Sequence, residues 1–427
     1  MKRFFALFLT LVLAIGVLAA CGPQNNENAS SNGGGSDSEG DDASKPEKLV
    51  VWEDTDKGIA LEPAIASFEE EYGIKVEFKE LGMADEIREQ IRLDGPAGTG
   101  PDVITLPHDQ IGQAAVEGLI SPIEVEQSVV DTFTESSIQA ESFDGKLYGL
   151  PKATETPVFI YNKELMDKAP ESMDEVYDFA KDFTKDKQYG FLALWDNFYF
   201  ANAVLAGYGG YVFERTEEGL NPQKLGLNNE GAIEGAKYVQ KWYEEGLFPN
   251  GLIGENGGST MDGLFNEGKA ASVMNGPWSF QGYKDAGIDI GVATMPKLPN
   301  GENFKTFIGV KGWHVSNFSE NKEWATKLVE WLTNEENAKI RYEETAEIPP
   351  VKSLIEDPVI AENEGASAVA LQSQYGVPMP NIPEMAEVWE PAASALQLIA
   401  TDKQGPKAAL DEATKTIKSQ IEQNHSN

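Results

Sequence analysis

The sequence predicts an α/β fold built on a largely parallel sheet and large enough for two domains. Leu49-Val50-Val51-Trp52 and Ile74-Lys75-Val76-Glu77-Phe78 read as strands, and the segment between them carries Ile65, Phe68 and Tyr72 on one helical face. Strand, helix, strand is a βαβ unit, whose crossover keeps both strands parallel and lays a helix on the sheet. The 427 residues, 41% of them hydrophobic, suffice to bury the cores of two domains.

Taken in order, the chain opens on an export signal. Lys2 and Arg3 precede an apolar run from Phe4 to Leu18. The run ends in Leu18-Ala19-Ala20-Cys21, which resembles the bacterial lipoprotein signal. An uncleaved membrane anchor is the alternative, since the run is near spanning length. Cys21 favours lipidation: it is the only cysteine, it sits at the lipobox position, and it excludes any intramolecular disulfide. Residues 1–20 are therefore read as signal peptide and residues 21–46 as a lipidated, disordered acidic tether lacking apolar clusters.

After the first strand, Glu53 to Gly58 is a polar loop, and Gly73 ends the first helix. A second helix carries Ile87 and Ile91, and Gly100-Pro101 starts a third strand, Asp102 to Leu106, with His108-Asp109 at its end. Val158 to Tyr161 is strand-like, and Met173 to Phe183 a helix. Asp196 to Tyr199 forms a polar-aromatic corner before a small helix, Ala201 to Ala206, that ends at Gly207. Asn229 caps a helix that buries Ile233, Ala236, Val239 and Trp242 or Tyr243 and stops at Gly246. Ala270 to Met274 reads as a buried strand, broken by Asn275-Gly276-Pro277, which presents Trp278 and Phe280 at a strand end. Phe307 to Val310 is another strand. Ser319 is expected to cap a helix burying Trp324, Leu328, Val329 and Leu332, and Pro349-Pro350 to break the one that follows. Met379 to Pro383 is pinned by proline and leads to Trp389, and Pro406 to Ile421 closes the chain as a helix.

Acidic residues outnumber basic ones 70 to 34, a formal net charge of −36. That excess argues against nucleic acid or an anionic membrane as direct ligand. Solvated, self-repelling surface accounts for it most simply.

Trp278 on its rigid turn suits the apolar face of a sugar ring, although this stretch alone fits a core tryptophan better. An ordered set of motifs adds to that reading: Val51-Trp52 with Asp56-Lys57-Gly58, Gly100-Pro101-Asp102-Val103-Ile104, His108-Asp109, Ile160-Tyr161-Asn162-Lys163, Gly209-Gly210-Tyr211, Asn275-Gly276-Pro277-Trp278, and Met379-Pro380-Asn381-Ile382-Pro383 with Trp389. From about Lys48 to the last helix the chain resembles the maltose/maltodextrin-binding proteins, the extracellular solute-binding subunits of ABC sugar importers. The resemblance implies a two-lobe, periplasmic-binding-protein-like α/β fold, each lobe a mostly parallel sheet flanked by helices, with the ligand cleft between lobes. Residues 47–153 with 308–356 would form the N-terminal lobe, and 154–307 with 357–427 the C-terminal lobe. It also implies a monomer that binds a maltodextrin-type sugar, hands it to ABC permease subunits, and is held on the extracellular face of the cell membrane through Cys21.

By the same resemblance, Asp56 and Lys57 hydrogen-bond sugar hydroxyls, to which a carboxylate and an ammonium are suited as acceptor and donor. A helix N-terminus alone would explain Asp56 but not the lysine beside it. Glu155 and Asp109 match acidic contacts, Tyr199 a bordering aromatic, and Trp278 and Trp389 two stacking platforms, with Met379 beside them. For Glu155 the plain alternative is a surface carboxylate, for Tyr199 core packing, and for His108 a structural role. The chain departs from the family pattern at Leu106, where many members have an aromatic, and at Asn197, where they have an acid. Ala393 replaces a base, and Glu390 an aromatic. The ligands left in play are maltose, longer maltodextrins, and cyclic or branched α-glucans, or another oligosaccharide.

A catalytic reading rests on carboxylate pairs of the glycosidase kind, such as Asp56 with Glu155, about 5 to 9 Å apart. Among 70 acidic residues some pair is always available. No Gly-x-Ser-x-Gly elbow, P-loop or His-Glu-x-x-His occurs. With three histidines and one cysteine, no metal and no cofactor is expected, and the chain reads as a binding protein; a carbohydrate-active enzyme or a starch adhesin is the alternative from another class.

Overall fold

The computed structural model describes residues 45–216 and 219–425; the signal peptide, Cys21 and nearly all of the tether lie outside them. Leu49, Val51 and Trp52 are buried in the strand Lys48–Glu53, which lies between Lys75–Glu80 and Val103–Pro107 and runs parallel to both. The βαβ expectation holds for this part of the chain. Helix Leu61–Tyr72 makes the crossover, burying Leu61, Ala64, Ile65 and Phe68, and ends on Gly73 in the left-handed region (φ 60°). Lys75–Glu80 is an edge strand, so only Val76 is buried and Phe78 faces outward.

The strand Phe307–Val315 enters the same sheet between Val103–Pro107 and Gly149–Glu155, antiparallel to each. It runs nine residues, five beyond the expected Val310, and Val310 to Val315 are all buried. Val377–Pro378 adds a short parallel edge pair to it.

The second sheet corrects the expectation of parallel strands in each lobe. Val158–Asn162 is its centre and runs antiparallel to both Ser272–Asn275 and Ile290–Ala293. The chain reaches Val158 straight from the strand Gly149–Glu155, across Thr156 and Pro157, with no crossover helix to bring it round to the other end. Tyr189 and Leu192 bridge in parallel to Ala270 and Val273, so the central strand alone is reversed. Beside this sheet an aromatic core forms around Trp195, which lies 5.8 Å from Phe191 and 5.6 Å from Trp242 between ring centroids.

Helix Glu230–Glu244 carries the expected cap, the side chain of Asn229 accepting from Ala232 N, and Ser172 caps helix Met173–Phe183 in the same way, accepting from Glu175 N. Ser319 does not cap a helix. Its hydroxyl donates to Asp102 at 2.5 Å, and helix Lys322–Thr333 starts three residues later, after Asn321. Pro349 and Pro350 lie beyond helix Glu335–Thr345, which already ends at Ala346 in the left-handed region (φ 58°). Among the described residues no helix is long and apolar enough to cross a membrane.

Candidate functional site

Three strands end at one cavity of about 680 Å³, whose lining includes Pro107, Glu155 and Asn275, the last residues of Val103–Pro107, Gly149–Glu155 and Ser272–Asn275. Where strands end, the loops diverge and leave room for a ligand.

The turn after Asn275 is built to hold Trp278. Asn275 Oδ1 accepts from Gly276 N at 2.9 Å, and the Ser279 hydroxyl donates to Gly276 O at 2.8 Å. A Cβ on Gly276 would meet the indole ring at 2.0 Å, so only glycine lets the ring lie back over the turn. Trp278 is half-buried and lines the cavity, 6.1 Å from the Tyr199 ring and 6.4 Å from Phe200. Trp389, the first residue of helix Trp389–Ala400, lines the same cavity and packs edge-on against Phe198 and Phe307. Both tryptophans thus border one space.

His108 is a structural clamp. Its Nδ1 accepts from Val310 N at 3.0 Å, so Nε2 carries the proton and donates to Met379 O at 3.0 Å. Burial pulls the imidazole down to about 4, and it is neutral. Asp109, one residue on, lines the cavity together with Trp389. Burial pushes its carboxyl up to about 6, against the pull of its own amide, Arg88 and Trp389. The Tyr199 hydroxyl is buried and finds no partner among the described residues. Burial first, then the charges of Glu155 and Asp109, push that phenol well above its ordinary range. Gln110 Oε1 is likewise buried without a partner, although its NH2 donates to Ala84 O.

Glu155 stands between the cavity and a chain of buried charges. Its Oε2 lies 2.9 Å from Lys311 Nζ, and Lys311 lies 3.3 Å from Glu347. Lys152 follows, 3.8 Å from Glu347 and 2.6 Å from Glu53, with its ammonium over the Trp313 ring. Arg341 donates to the carbonyl of Lys152 and balances the set at three cations and three anions. Burial works against the charges of Glu53, Glu155, Glu347, Lys311 and Arg341. Lys152 and Lys311 nevertheless hold the Glu347 carboxyl well below the usual range, and Lys311 is held charged by Glu155 and Glu347.

Six of the eight expected site residues therefore meet at one cavity: Asp109, Glu155, Tyr199, Trp278, Met379 and Trp389. Asp56 and Lys57 do not line it. Asp56 is exposed at the tip of its loop with a left-handed backbone (φ 61°), and Lys57 is half-buried behind it. Their neighbour Asp54 lies nearer, accepting from Met83 N at 3.0 Å, and Met83 is a lining residue.

Comparison with known proteins bears on what such a cavity serves. Residues 63–368 match the family model described as bacterial extracellular solute-binding protein. The chain belongs to that family. It is 49% identical over 412 residues to the galactooligosaccharide-binding protein of Bacillus subtilis, covering 96% of this chain and 95% of the relative. It is 33% identical over 422 residues to a maltooligosaccharide ABC transporter solute-binding lipoprotein of Streptococcus pneumoniae, covering 97% and 96%. Its fold is similar to that of a cyclo/maltodextrin-binding protein solved with maltotetraose, at a TM-score of 0.78 and 42% identity, covering 92% of this chain and all of that one. The two-lobe α/β architecture of such proteins is the fold of this chain.

Against this family background, the departures take on distinct meanings. Leu106 is fully buried among Trp52, Ile104 and Ile111, so it belongs to the core and Pro107 meets the cavity instead. Asn197 lines the cavity but is also the cap of helix Phe198–Gly207, accepting from Tyr199 N at 2.9 Å. Glu390 lines the cavity, and Ala393 does not.

Arg88, Gln110 and Asp262 also line the cavity and were not anticipated. Arg88 follows buried Ile87 on helix Glu86–Asp94, and its buried Nε has no partner among the described residues. A cation next to the apolar stripe Ile87/Ile91 was its one sequence signal; Asp262, in helix Gly257–Asn266, had none.

Proposed function

We propose that this chain captures a short, neutral oligosaccharide outside the cell and delivers it to an ABC importer. The observation that carries this is the pairing of Trp278 and Trp389 on one cavity, with the Asp109 and Glu155 carboxylates and the Tyr199 hydroxyl in the same lining. Indole faces suit the C–H faces of sugar rings, and buried acceptors suit their hydroxyls. The volume, about 680 Å³, falls within the range of roughly 300–1,000 Å³ for small-molecule sites. Six carboxylates and one guanidinium line it, which favours a neutral ligand over an anionic one.

Maltodextrin-type α-glucans are one ligand class, supported by the motifs and by the relatives that bind them. Galactooligosaccharides are the second, supported by the Bacillus subtilis relative, which is 49% identical to this chain over 412 residues. Both present hydroxyls and an apolar ring face. Calorimetric titration with maltotriose, a cyclodextrin and β-1,4-galactotriose ranks them; absence of heat with all three contradicts the oligosaccharide reading.

The working motion in this reading is closure of the two lobes, 47–153 with 308–356 against 154–307 with 357–427, about strands near Ala153, Phe307 to Gly312 and the segment after Val351. Small-angle scattering should show compaction on adding sugar, and an unchanged profile counts against a hinge. Binding without turnover is part of the proposal: incubation with maltotriose or galactotriose releases no new reducing ends. So is a monomeric chain anchored through lipid on Cys21, for which Cys21→Ser should move the protein from the membrane fraction to the medium.

A further inference from the structure

The turn that carries Trp278 also holds a carboxylate that neither the motifs nor the comparisons assign. Asp262 Oδ1 accepts from the Tyr283 hydroxyl at 2.5 Å and from Asn275 Nδ2 at 3.1 Å. Asn275 also donates to the Tyr283 oxygen at 2.7 Å, closing a three-residue ring of hydrogen bonds. Tyr283 and Asn275 are 1% and 3% exposed, so the carboxylate is held from behind by buried, fixed groups. Both donors go to Oδ1; Oδ2 receives none from the described residues, and Asp262 lines the cavity. Leu194, Phe200 and Met261 form apolar wall in the same cavity, and Oδ2 is left as an acceptor without a protein donor among the described residues.

We infer that Asp262 is a ligand-binding, specificity-determining residue whose free Oδ2 accepts a hydroxyl of the sugar ring lying on Trp278. The inference rests on the oligosaccharide reading above. Asn275 makes the geometry definite: one side of its amide fixes the turn of Trp278 through Gly276 N, and the other fixes Asp262. Platform and acceptor are thus held by one side chain, preorganised for a ring with a free hydroxyl at its edge. A ring bearing a carboxylate there, as in a uronic acid, meets like charge and is rejected.

The test is titration of the full-length chain and of its Asp262→Asn variant with maltotriose and with β-1,4-galactotriose, each checked by thermal unfolding. Asn keeps the size but loses the charge, and the affinity for whichever sugar binds should fall about ten- to hundredfold while the unfolding midpoint holds. Asp262→Ser, smaller and still able to accept from Tyr283, serves as second variant should the amide unfold the chain. Tyr283→Phe removes a donor to Oδ1 alone and should weaken binding less than either. Affinities of Asp262→Asn and Asp262→Ser within twofold of the parent would overturn the Asp262 site while leaving the oligosaccharide reading intact. No heat from the parent chain with either sugar would overturn both.

Discussion

The ammonium of Lys311 lies 2.9 Å from the Glu155 carboxylate at the cavity wall and 3.3 Å from Glu347 behind it. Lys311 sits opposite Ala153 and Pro107 in the register of its strand, so one residue ties the cavity to the strands proposed as the hinge. Replacing it with Met leaves Glu155 buried without its cation and Glu347 with Lys152 alone. Breaking a buried pair in this way costs roughly 3–5 kcal/mol. Lys311→Met should therefore lower the chemical unfolding midpoint well beyond Lys→Met changes at exposed Lys237 or Lys407, and should weaken sugar binding through a displaced Glu155. A midpoint equal to that of the parent would show that the network carries no net stability.

Trp389 has two separable features. Its ring borders the cavity, and its indole N–H helps to lower the Asp109 carboxyl against the effect of burial. Trp389→Phe keeps a ring and loses the indole N–H. Trp389→Ala loses both. Calorimetry should rank the affinities parent, Phe, Ala, and equal losses for the two variants would assign all the energy to the indole N–H.

Asp109 sets the pH dependence of binding. Its carboxyl is raised from an ordinary 3.8 to about 6, so the sugar-free protein is half-protonated there near pH 6. Hydroxyls donating to the ionised form lower that value in the complex, so affinity is steady above pH 7 and falls as pH drops through 6. Arg88, Glu155 and Tyr199 face the same group and tune the midpoint. Asp109→Asn should bind more weakly at pH 7 and lose this slope. A parent affinity that is flat from pH 5 to 7.5 would contradict it.

His108 and Asp109 act on stability with opposite sign. His108 is depressed from 6.5 to about 4, so its contribution is present above pH 6.5 and is lost as pH falls through 4. Asp109 is raised, so its contribution is full below pH 3.8 and is lost as pH rises through 6. Each shift is worth about 3 kcal/mol, and between pH 4 and 6 they offset one another. Saturating sugar, by holding Asp109 ionised, removes one side of that balance. Thermal unfolding with sugar should therefore lose stability in acid more steeply than without it, and parallel curves would count against the assignment.

Much of the fold was legible because its signals are local. Leu49 to Trp52 is a continuous apolar run, Asn229 sits three residues before the amide it caps, and Gly73 and Gly246 take the left-handed angles that end helices. The reversed strand Val158–Asn162 was not legible, since its direction depends on the route by which the chain arrives. Nor was the charge network: Glu53, Lys152, Lys311 and Glu347 resemble surface residues in sequence, and only the fold buries them together. Asp56 and Lys57 were carried by resemblance, and neither lines the cavity that the aromatic motifs found.

The most direct test of the account is titration of maltotriose and β-1,4-galactotriose into the parent chain and its Trp278→Ala variant. One site per chain is expected for at least one sugar, weakened tenfold or more by the substitution, while the unfolding midpoint stays within a few degrees, since Trp278 is only half-buried. Unchanged affinity in Trp278→Ala would contradict the platform, and with it the claim that this cavity is where the sugar is held.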